Sequence, residues 1–220
     1  MLRNLKKTLA RVEKVKESRL KSPTPSVKEF AKYPTLFTQD RQPDSNYLAI
    51  PEVSSENRIY IPIGFLTPDI ICSNKLQIIP NATMFMFGVL ESIMHMIWTR
   101  YVCGRLESRL SYSPSVYNNF PWPENPSPKQ KEAVEKAAQQ VLDARLQFPN
   151  SSLADLYDPN TMPPALVKAH QQLDKAVDLC YRPQPFINET KRIEFLFELY
   201  DKYTSGMFAG EVKKKAKSKK

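Results

Sequence analysis

The apolar residues of this 220-residue chain change their spacing along its length, and that change restricts the folds open to it. Leucines and valines recur at helical spacing over 2–20, with Lys and Arg between them, so a basic amphipathic helix is predicted there. Between 47 and 90, short runs rich in β-branched and aromatic residues are separated by Pro, Asn and Ser, which is typical of strands. The predicted strands are Tyr47–Ile50, Arg58–Ile63, Asp69–Cys72, Leu76–Ile79 and Met84–Val89.

Helical spacing returns after residue 90. An apolar stripe predicts a helix over 91–106, in which His95 is expected to pack in the core rather than act as a catalyst. Residues 107–128 are predicted to form a loop that ends in a proline-rich run. Three helices should follow: from a Ser127 cap to about Phe148, over 163–181, and over 189–203.

The expected fold class is therefore α+β, a mixed α/β domain followed by a small all-helical domain. We predict a basic N-terminal helix and connector at 1–22, the mixed domain at 23–123, the helical domain at 124–204 and a Lys-rich flexible tail at 205–220. The net charge of +9 is concentrated at the ends, since 1–22 carries +6 and 211–220 carries +5. Basic ends attract phosphate but do not read sequence.

Patterns of common catalytic and metal sites are absent from the sequence. Its five glycines form neither G-x-G-x-x-G nor a P-loop, so no nucleotide or S-adenosylmethionine cradle is predicted. The two histidines, His95 and His170, are far apart, and the three cysteines lack C-x-x-C spacing, so no metal site is expected. No catalytic residue is assigned. Without a long apolar run or an export signal, we expect a cytoplasmic protein with free thiols and no membrane partner.

Several long motifs over residues 20–204 carry a resemblance to one known family. They include the segments 41–56, 60–66, 80–83, 94–96, 103–106 and 112–113, and further ones at 153–158 and 162–174. The most specific is Val116-Tyr117-Asn118-Asn119-Phe120-Pro121-Trp122-Pro123. These motifs resemble the MmeI-like (type IIL) restriction–modification and adenine-specific DNA methyltransferase family, in its target-recognition domain and C-terminal helical domain.

That resemblance implies sequence-specific recognition of double-stranded DNA. In the family, an endonuclease, a helical connector and an adenine-N6 methyltransferase accompany these two domains. The implied partners are thus DNA and the methyltransferase and endonuclease domains of a full-length protein or a neighbouring chain. S-adenosylmethionine and Mg²⁺ would bind only those catalytic domains, so no cofactor is expected here and the chain alone is not expected to be an enzyme. It would be a truncated gene, a split subunit or an excised part.

Glu107 and Arg109 are the main candidates for reading bases. If the loop after Gly104 is extended, the two side chains point the same way. Arg donates to guanine O6 and N7 and Glu accepts from cytosine N4, so the pair suits one C·G base pair, although such a pair is usually only a surface ion pair. The resemblance favours base reading, because in the family this Glu-x-Arg alternates with Lys-x-Asp as cytosine is exchanged for guanine. It also implies that Lys75 and Ser111 are coupled and read a second base, with Lys favouring guanine.

Four arginines are candidate phosphate contacts, which position a protein on DNA without specifying sequence. They are Arg41, Arg58, Arg100 and Arg105, and solvated surface arginines are the alternative. Three aromatic residues near the proline run could stack on bases, but their proline neighbours favour core packing. They are Tyr117, Phe120 and Trp122.

Two other functions stay open at this point. The first is a basic scaffold that binds nucleic acid without sequence preference through its N-terminal helix and Lys tail. The second is an active S-adenosylmethionine-dependent DNA methyltransferase fragment whose site carries no recognisable motif. Discrimination between DNA sequences at high salt would separate the first from specific recognition, and cofactor binding would reveal the second.

Overall fold

The basic N-terminal segment forms helix α1, Leu2–Leu20, in a computed structural model that describes the backbone of residues 2–217 and the side chains of 5–205. Helix α2, Pro25–Glu29, and a 3-10 turn, Phe30–Lys32, follow. The Arg19 guanidinium donates to the carbonyls of Phe30, Tyr33 and Leu36 at 3.0, 2.7 and 2.6 Å. These bonds tie α1 to the segment after it, and this first compact unit ends at Gln42.

The second unit begins at Pro43 and contains two small antiparallel sheets. Their strands are β1 Tyr47–Pro51, β2 Val53–Ser54, β3 Gly64–Leu66, β4 Leu76–Pro80, β5 Gly104–Leu106 and β6 Arg109–Ser111. The first sheet has the order β3-β1-β4 and the second β2-β6-β5. The chain passes from one sheet to the other between β1 and β2, where only Glu52 separates the two strands.

Seven helices complete the described part of this unit. They are α3 Met84–Leu90, α4 Ile93–Val102, α5 Pro114–Asn118, α6 Pro128–Leu146, α7 Leu153–Leu156, α8 Pro164–Tyr181 and α9 Glu189–Lys217. Helix α6 packs against both α8 and α3. Gly88 permits the approach of α3, because a Cβ there would lie 2.7 Å from Cγ1 of Val134 on α6. One apolar core therefore serves the sheets and the C-terminal helices together.

The predicted α+β class is confirmed, and α1, α6 and α8 lie close to their predicted bounds, whereas α9 extends beyond its predicted end at residue 203. The strands predicted at Tyr47–Ile50 and Leu76–Ile79 are also confirmed, as β1 and β4. The strand predicted at Met84–Val89 is wrong, since these residues belong to α3. Thr83 caps that helix by accepting a hydrogen bond from the Met86 amide at 3.2 Å, and a short buried helix has the same apolar run as a buried strand.

Two further strand predictions are wrong. Asp69–Cys72 lies in a loop, and Arg58–Ile63 is irregular, with the nearby strand beginning only at Gly64. The apolar residues of the second run are explained by packing instead of sheet pairing, since Tyr60 stacks on His170 with ring centroids 3.9 Å apart. The predicted loop at 107–128 is corrected as well, because it contains β6 and α5, and the helix predicted over 91–106 ends at Val102.

The compact units follow packing and divide the chain at Gln42, so the predicted segments, which meet at 22/23, 123/124 and 204/205, stay a prediction. The division at Gln42 lies beyond the predicted boundary at residue 22, because Arg19 binds the segment that follows α1. No division occurs at residue 123, because α3 and α6 share a core. The backbone of α9 continues to Lys217, into the predicted flexible tail at 205–220; the side chains after 205 and residues 218–220 lie outside the described part.

No helix among the described residues combines the length and apolar character needed to cross a membrane. Within the same residues, no three His, Cys, Asp or Glu side chains are grouped so that they could hold a metal ion. Cys72, Cys103 and Cys180 are free thiols.

Candidate nucleic-acid interface

The candidate reading residues lie on a tight hairpin formed by β5 and β6. Leu106 pairs with Arg109, so Glu107 and Ser108 make a two-residue turn instead of the extended loop that we predicted. Glu107 has φ of 58°, in the left-handed region that such turns usually fill with Gly, Asn or Asp. This conformation costs a non-glycine residue about 1–2 kcal/mol. A glutamate is thus placed at the tip of the hairpin against local backbone preference.

Glu107 and Arg109 contact each other at the exposed tip. Nη2 of Arg109 lies 2.6 Å from Oε2 of Glu107, and the two side chains are 48% and 78% exposed. Because water surrounds the pair, it contributes at most about 1 kcal/mol to folding. Leu110 points into the core between Arg109 and Ser111, so those two residues share the outer face of β6. The tip therefore presents a guanidinium and a carboxylate side by side to solvent.

Lys75 and Ser111 both neighbour the segment that joins the two sheets. The Glu52 amide donates to the Lys75 carbonyl at 2.9 Å, and the Tyr112 amide donates to the Glu52 carbonyl at 2.7 Å. Val53 pairs with Ser111 across β2 and β6. The Lys75 ammonium, 70% exposed, lies 3.2 Å from the Glu52 carboxylate. The structure thus brings the second predicted pair to the base of the same hairpin, through a residue that the sequence did not single out.

The buried His95 side chain is hydrogen-bonded to Tyr112, the residue that follows the hairpin. Its Nδ1 donates to the Leu90 carbonyl at 2.7 Å, which leaves Nε2 to accept from the Tyr112 hydroxyl at 2.9 Å. Burial lowers the pKa of His95 to about 4, so the ring is neutral at physiological pH. The prediction of a packed histidine is confirmed. Since Tyr112 directly follows β6, this contact fixes where the hairpin leaves the core.

The four predicted phosphate contacts have different surroundings. Arg41 is exposed and belongs to the first unit, whereas Arg58 is half-buried, with Nη1 at 3.5 Å from Oγ of Ser54. Arg100 donates to both carboxylate oxygens of Glu189 at 3.1 Å each and to the Arg58 carbonyl at 3.1 Å. Arg105 is exposed, yet it donates to the Arg100 carbonyl at 2.9 Å. Three of the four guanidinium groups, those of Arg58, Arg100 and Arg105, therefore already donate hydrogen bonds within the protein.

The aromatic residues of the proline-rich segment pack inward, as predicted. Phe120 is buried, and Tyr117 and Trp122 are half-buried against the core. The Asn119 side chain donates to the Ser115 carbonyl at 2.8 Å, which fixes the backbone before the prolines. Trp98 meets Phe120 edge to face with centroids 6.3 Å apart. Phe120 also meets the ring of His95 edge to face, with centroids 5.1 Å apart.

A buried polar cluster, which the sequence did not reveal, joins α6 and α7 to the sheet region. The Arg145 guanidinium donates to Oε1 of Glu91 at 2.6 Å, to the Ile63 carbonyl at 2.8 Å and, through Nε, to the Tyr157 hydroxyl at 2.9 Å. The hydroxyl lies 2.7 Å from Nε2 of His170. Burial raises the pKa of Glu91 to about 7, against the opposing charge of Arg145. Arg145 and Ile63, which are hydrogen-bonded in this cluster, are 82 residues apart in sequence, so no local pattern predicts it.

Comparison with known proteins assigns the family. The family model described as "MmeI, target recognition domain" matches residues 1–124, and "MmeI, C-terminal domain" matches 126–208. The chain belongs to the MmeI family. DNA methyltransferase A of Bacillus subtilis (strain 168) is 38% identical over 195 residues, which are 88% of this chain and 22% of that protein.

A solved structure of the type IIL restriction–modification enzyme MmeI in complex with DNA is also similar. It is 53% identical to this chain, with a TM-score of 0.84 over 90% of this chain and 26% of the other. The chain thus spans about a quarter of the length of the relatives it matches. Membership of the MmeI family confirms the resemblance found in the sequence motifs, and the likeness covers both the hairpin and the C-terminal helices.

Proposed function

We propose that this chain is the DNA-specificity part of a restriction–modification enzyme of the MmeI family. The observation that carries the proposal is the hairpin tip, where Glu107 and Arg109 lie side by side and exposed on a buried support. A two-stranded β-ribbon fits the major groove of B-DNA, whose width is about 12 Å. The similarity to a protein solved in complex with DNA supports the same role.

Reading follows from donor and acceptor chemistry. Arg109 donates to O6 and N7 of guanine, while Glu107 accepts from N4 of the paired cytosine, so one C·G pair satisfies both side chains. In the free chain the Arg109 guanidinium and the Glu107 carboxylate form an ion pair at 2.6 Å. Because this pair is exposed and contributes little stability, exchanging it for contacts with DNA costs little free energy. Lys75 and Ser111, at the base of the same hairpin, read a second base pair, with Lys75 favouring guanine.

Catalysis belongs to other domains in this proposal. An adenine methyltransferase and an endonuclease, in the same polypeptide or in a neighbouring chain, bind S-adenosylmethionine and Mg²⁺ and act where this chain positions them. The share of the relatives that the chain covers, 22% and 26%, is consistent with such a division. Incubation of the chain with DNA and labelled S-adenosylmethionine should transfer no label above a heat-killed control, and transfer above it would contradict this assignment.

Sequence recognition is tested by selection from a random duplex library. The purified chain should enrich one short motif at about 0.2 M salt, where generic phosphate attraction is weakened. Arg109→Ala should then lower affinity for that motif about ten- to a hundredfold and affinity for unrelated DNA far less. Lys191→Ala, which removes another exposed cation paired with a glutamate at 2.6 Å, is the matched control and should leave the motif intact. Failure to enrich any motif would contradict specific recognition.

A further inference from the structure

Two of the arginines considered above as phosphate contacts are linked to the reading turn. Nη2 of Arg105 donates to the Arg100 carbonyl at 2.9 Å, and Nη1 reaches the Ser108 carbonyl, inside the turn, at 3.4 Å. Arg100 lies in the last turn of α4, where helix carbonyls have no partner within the helix. One guanidinium therefore joins the end of α4 to the hairpin tip.

The same linkage extends to the C-terminal helices. The Arg100 guanidinium donates to both carboxylate oxygens of Glu189, in the first turn of α9, at 3.1 Å each. It also donates to the Arg58 carbonyl at 3.1 Å. Arg100 is only 25% exposed, so this ion pair is better shielded from water than the Glu107–Arg109 pair. Contacts thus run without a break from Glu189 through Arg100 and Arg105 to Ser108, which lies between the two reading residues.

We propose that Glu189, Arg100 and Arg105, hereafter the arginine brace, are positioning residues that hold Glu107 and Arg109 in reading geometry. The inference rests on the proposed function. The turn needs support because it has no glycine and holds Glu107 at φ of 58°. A phosphate role would require Arg100 to leave Glu189, and Arg105 to leave two carbonyls, at the moment of binding. In the brace, the C-terminal domain contributes to base choice without touching DNA.

A positioning role and a phosphate-binding role for these arginines predict different losses of DNA affinity when the arginine is replaced. A positioning residue affects discrimination at the base pair it serves, whereas a phosphate contact weakens all sequences alike and contributes about one unit to the slope of log K against log salt. Lysine separates the two roles at Arg105, because an ammonium keeps the charge but cannot reproduce the fork that spans two carbonyls. A variant of Glu189 distinguishes the two roles at Arg100, because removal of the Glu189 charge would free the Arg100 guanidinium to bind phosphate.

The test measures Kd, for the enriched duplex and for the same duplex with its C·G pair inverted, across a series of salt concentrations. Arg105→Lys and Arg105→Gln should each reduce the preference between the two duplexes about tenfold, with the salt slope unchanged, a loss within the range of one base contact. Glu189→Gln should reduce it about threefold, because it removes one partly exposed ion pair. Glu194→Gln removes the same charge from the same helix, from a pair with Lys191 at 2.6 Å, and should leave the preference unchanged. Thermal unfolding verifies that each variant is folded.

Other outcomes overturn the proposal. If Arg105→Gln weakens both duplexes equally and lowers the salt slope by about one, while Arg105→Lys retains both, Arg105 is a phosphate contact. If Glu189→Gln strengthens binding to both duplexes equally, more than Glu194→Gln does, Arg100 serves phosphate instead. A wild-type chain that shows no preference between the duplexes refutes the proposed function itself, which distinguishes that failure from a failure of the brace.

Discussion

Removal of Arg145 should be among the most damaging single changes to the fold. Arg145→Met keeps the length of the side chain but leaves Glu91, which is completely buried, without the cation that lies 2.6 Å away. It also removes the donors to the Ile63 carbonyl and the Tyr157 hydroxyl. Breaking a buried ion pair from one side typically costs about 3–5 kcal/mol. Since domains are stable by about 5–15 kcal/mol, the variant should fold but lose a large part of its stability.

Urea unfolding followed by the fluorescence of Trp98, which is buried, and Trp122, which is half-buried, measures that loss. The pKa of Glu91 is already raised to about 7 by burial, and loss of Arg145 raises it further. When the pKa of a carboxyl is higher in the folded state than in the unfolded state, the free energy of unfolding falls as pH rises between the two pKa values. The free-energy cost of Arg145→Met should therefore be smaller at about pH 5, where Glu91 is protonated, than at about pH 8.

The double variant Glu91→Leu with Arg145→Met should cost far less than the two single costs together, because an apolar pair needs no compensation in the core. Lys191→Met, in an ion pair whose side chains are 54% and 48% exposed, is the control and should cost no more than about 1 kcal/mol. A cost below about 1 kcal/mol for Arg145→Met, or single costs that simply add, would refute the interpretation of this cluster as a coupled buried network.

Three smaller predictions concern packing, protonation and capping. Gly88→Ala should destabilise by about 1 kcal/mol or more, despite the gain in helix propensity, because the new Cβ lies 2.7 Å from Val134; a raised urea midpoint would contradict this. Burial lowers the pKa of His95 to about 4, so the stability that neutral His95 contributes should be lost as pH falls from about 6.5 to about 4. The difference in free energy of unfolding between wild type and His95→Gln should narrow over that pH range, and a constant difference would refute this. Ser127→Ala removes the hydroxyl that accepts a hydrogen bond from the Gln130 amide at 3.3 Å, and should lower the free energy of unfolding by about 1 kcal/mol. Thr24→Ala, at a cap position without a side-chain hydrogen bond, should cost less. Equal costs would count against the capping box.

Long periodic segments were predictable because many residues report the same helix. The helices α1 and α8 lie within two residues of their predicted limits, and the Ser127 capping box marks the start of α6 as expected. Short apolar runs do not carry that information. Met84–Val89 has no period long enough to separate a buried helix from a strand, and the N-cap at Thr83 was the better indicator.

The choice of reading residues stays a prediction, and their geometry differs from the one that their spacing suggested. The spacing of Glu107 and Arg109 suggested an extended loop, and the hairpin went unrecognised because Glu107-Ser108 lacks the Asn-Gly or Asp-Gly turn signal. The contacts of Arg100 with Glu189 and of Arg145 with Ile63 join residues 89 and 82 positions apart. Such contacts depend on tertiary packing, so only the structure shows which groups these two arginines bind.

The central claim, that the hairpin tip reads a base pair, is tested most directly by exchanging its donor and acceptor. The double variant Glu107→Lys with Arg109→Asp places the cation where the carboxylate was and the carboxylate where the guanidinium was. Motif selection from a random duplex library, run in parallel with the wild-type chain, should return the same motif with C·G replaced by G·C at a single position. An unchanged motif would show that Glu107 and Arg109 form only a surface ion pair.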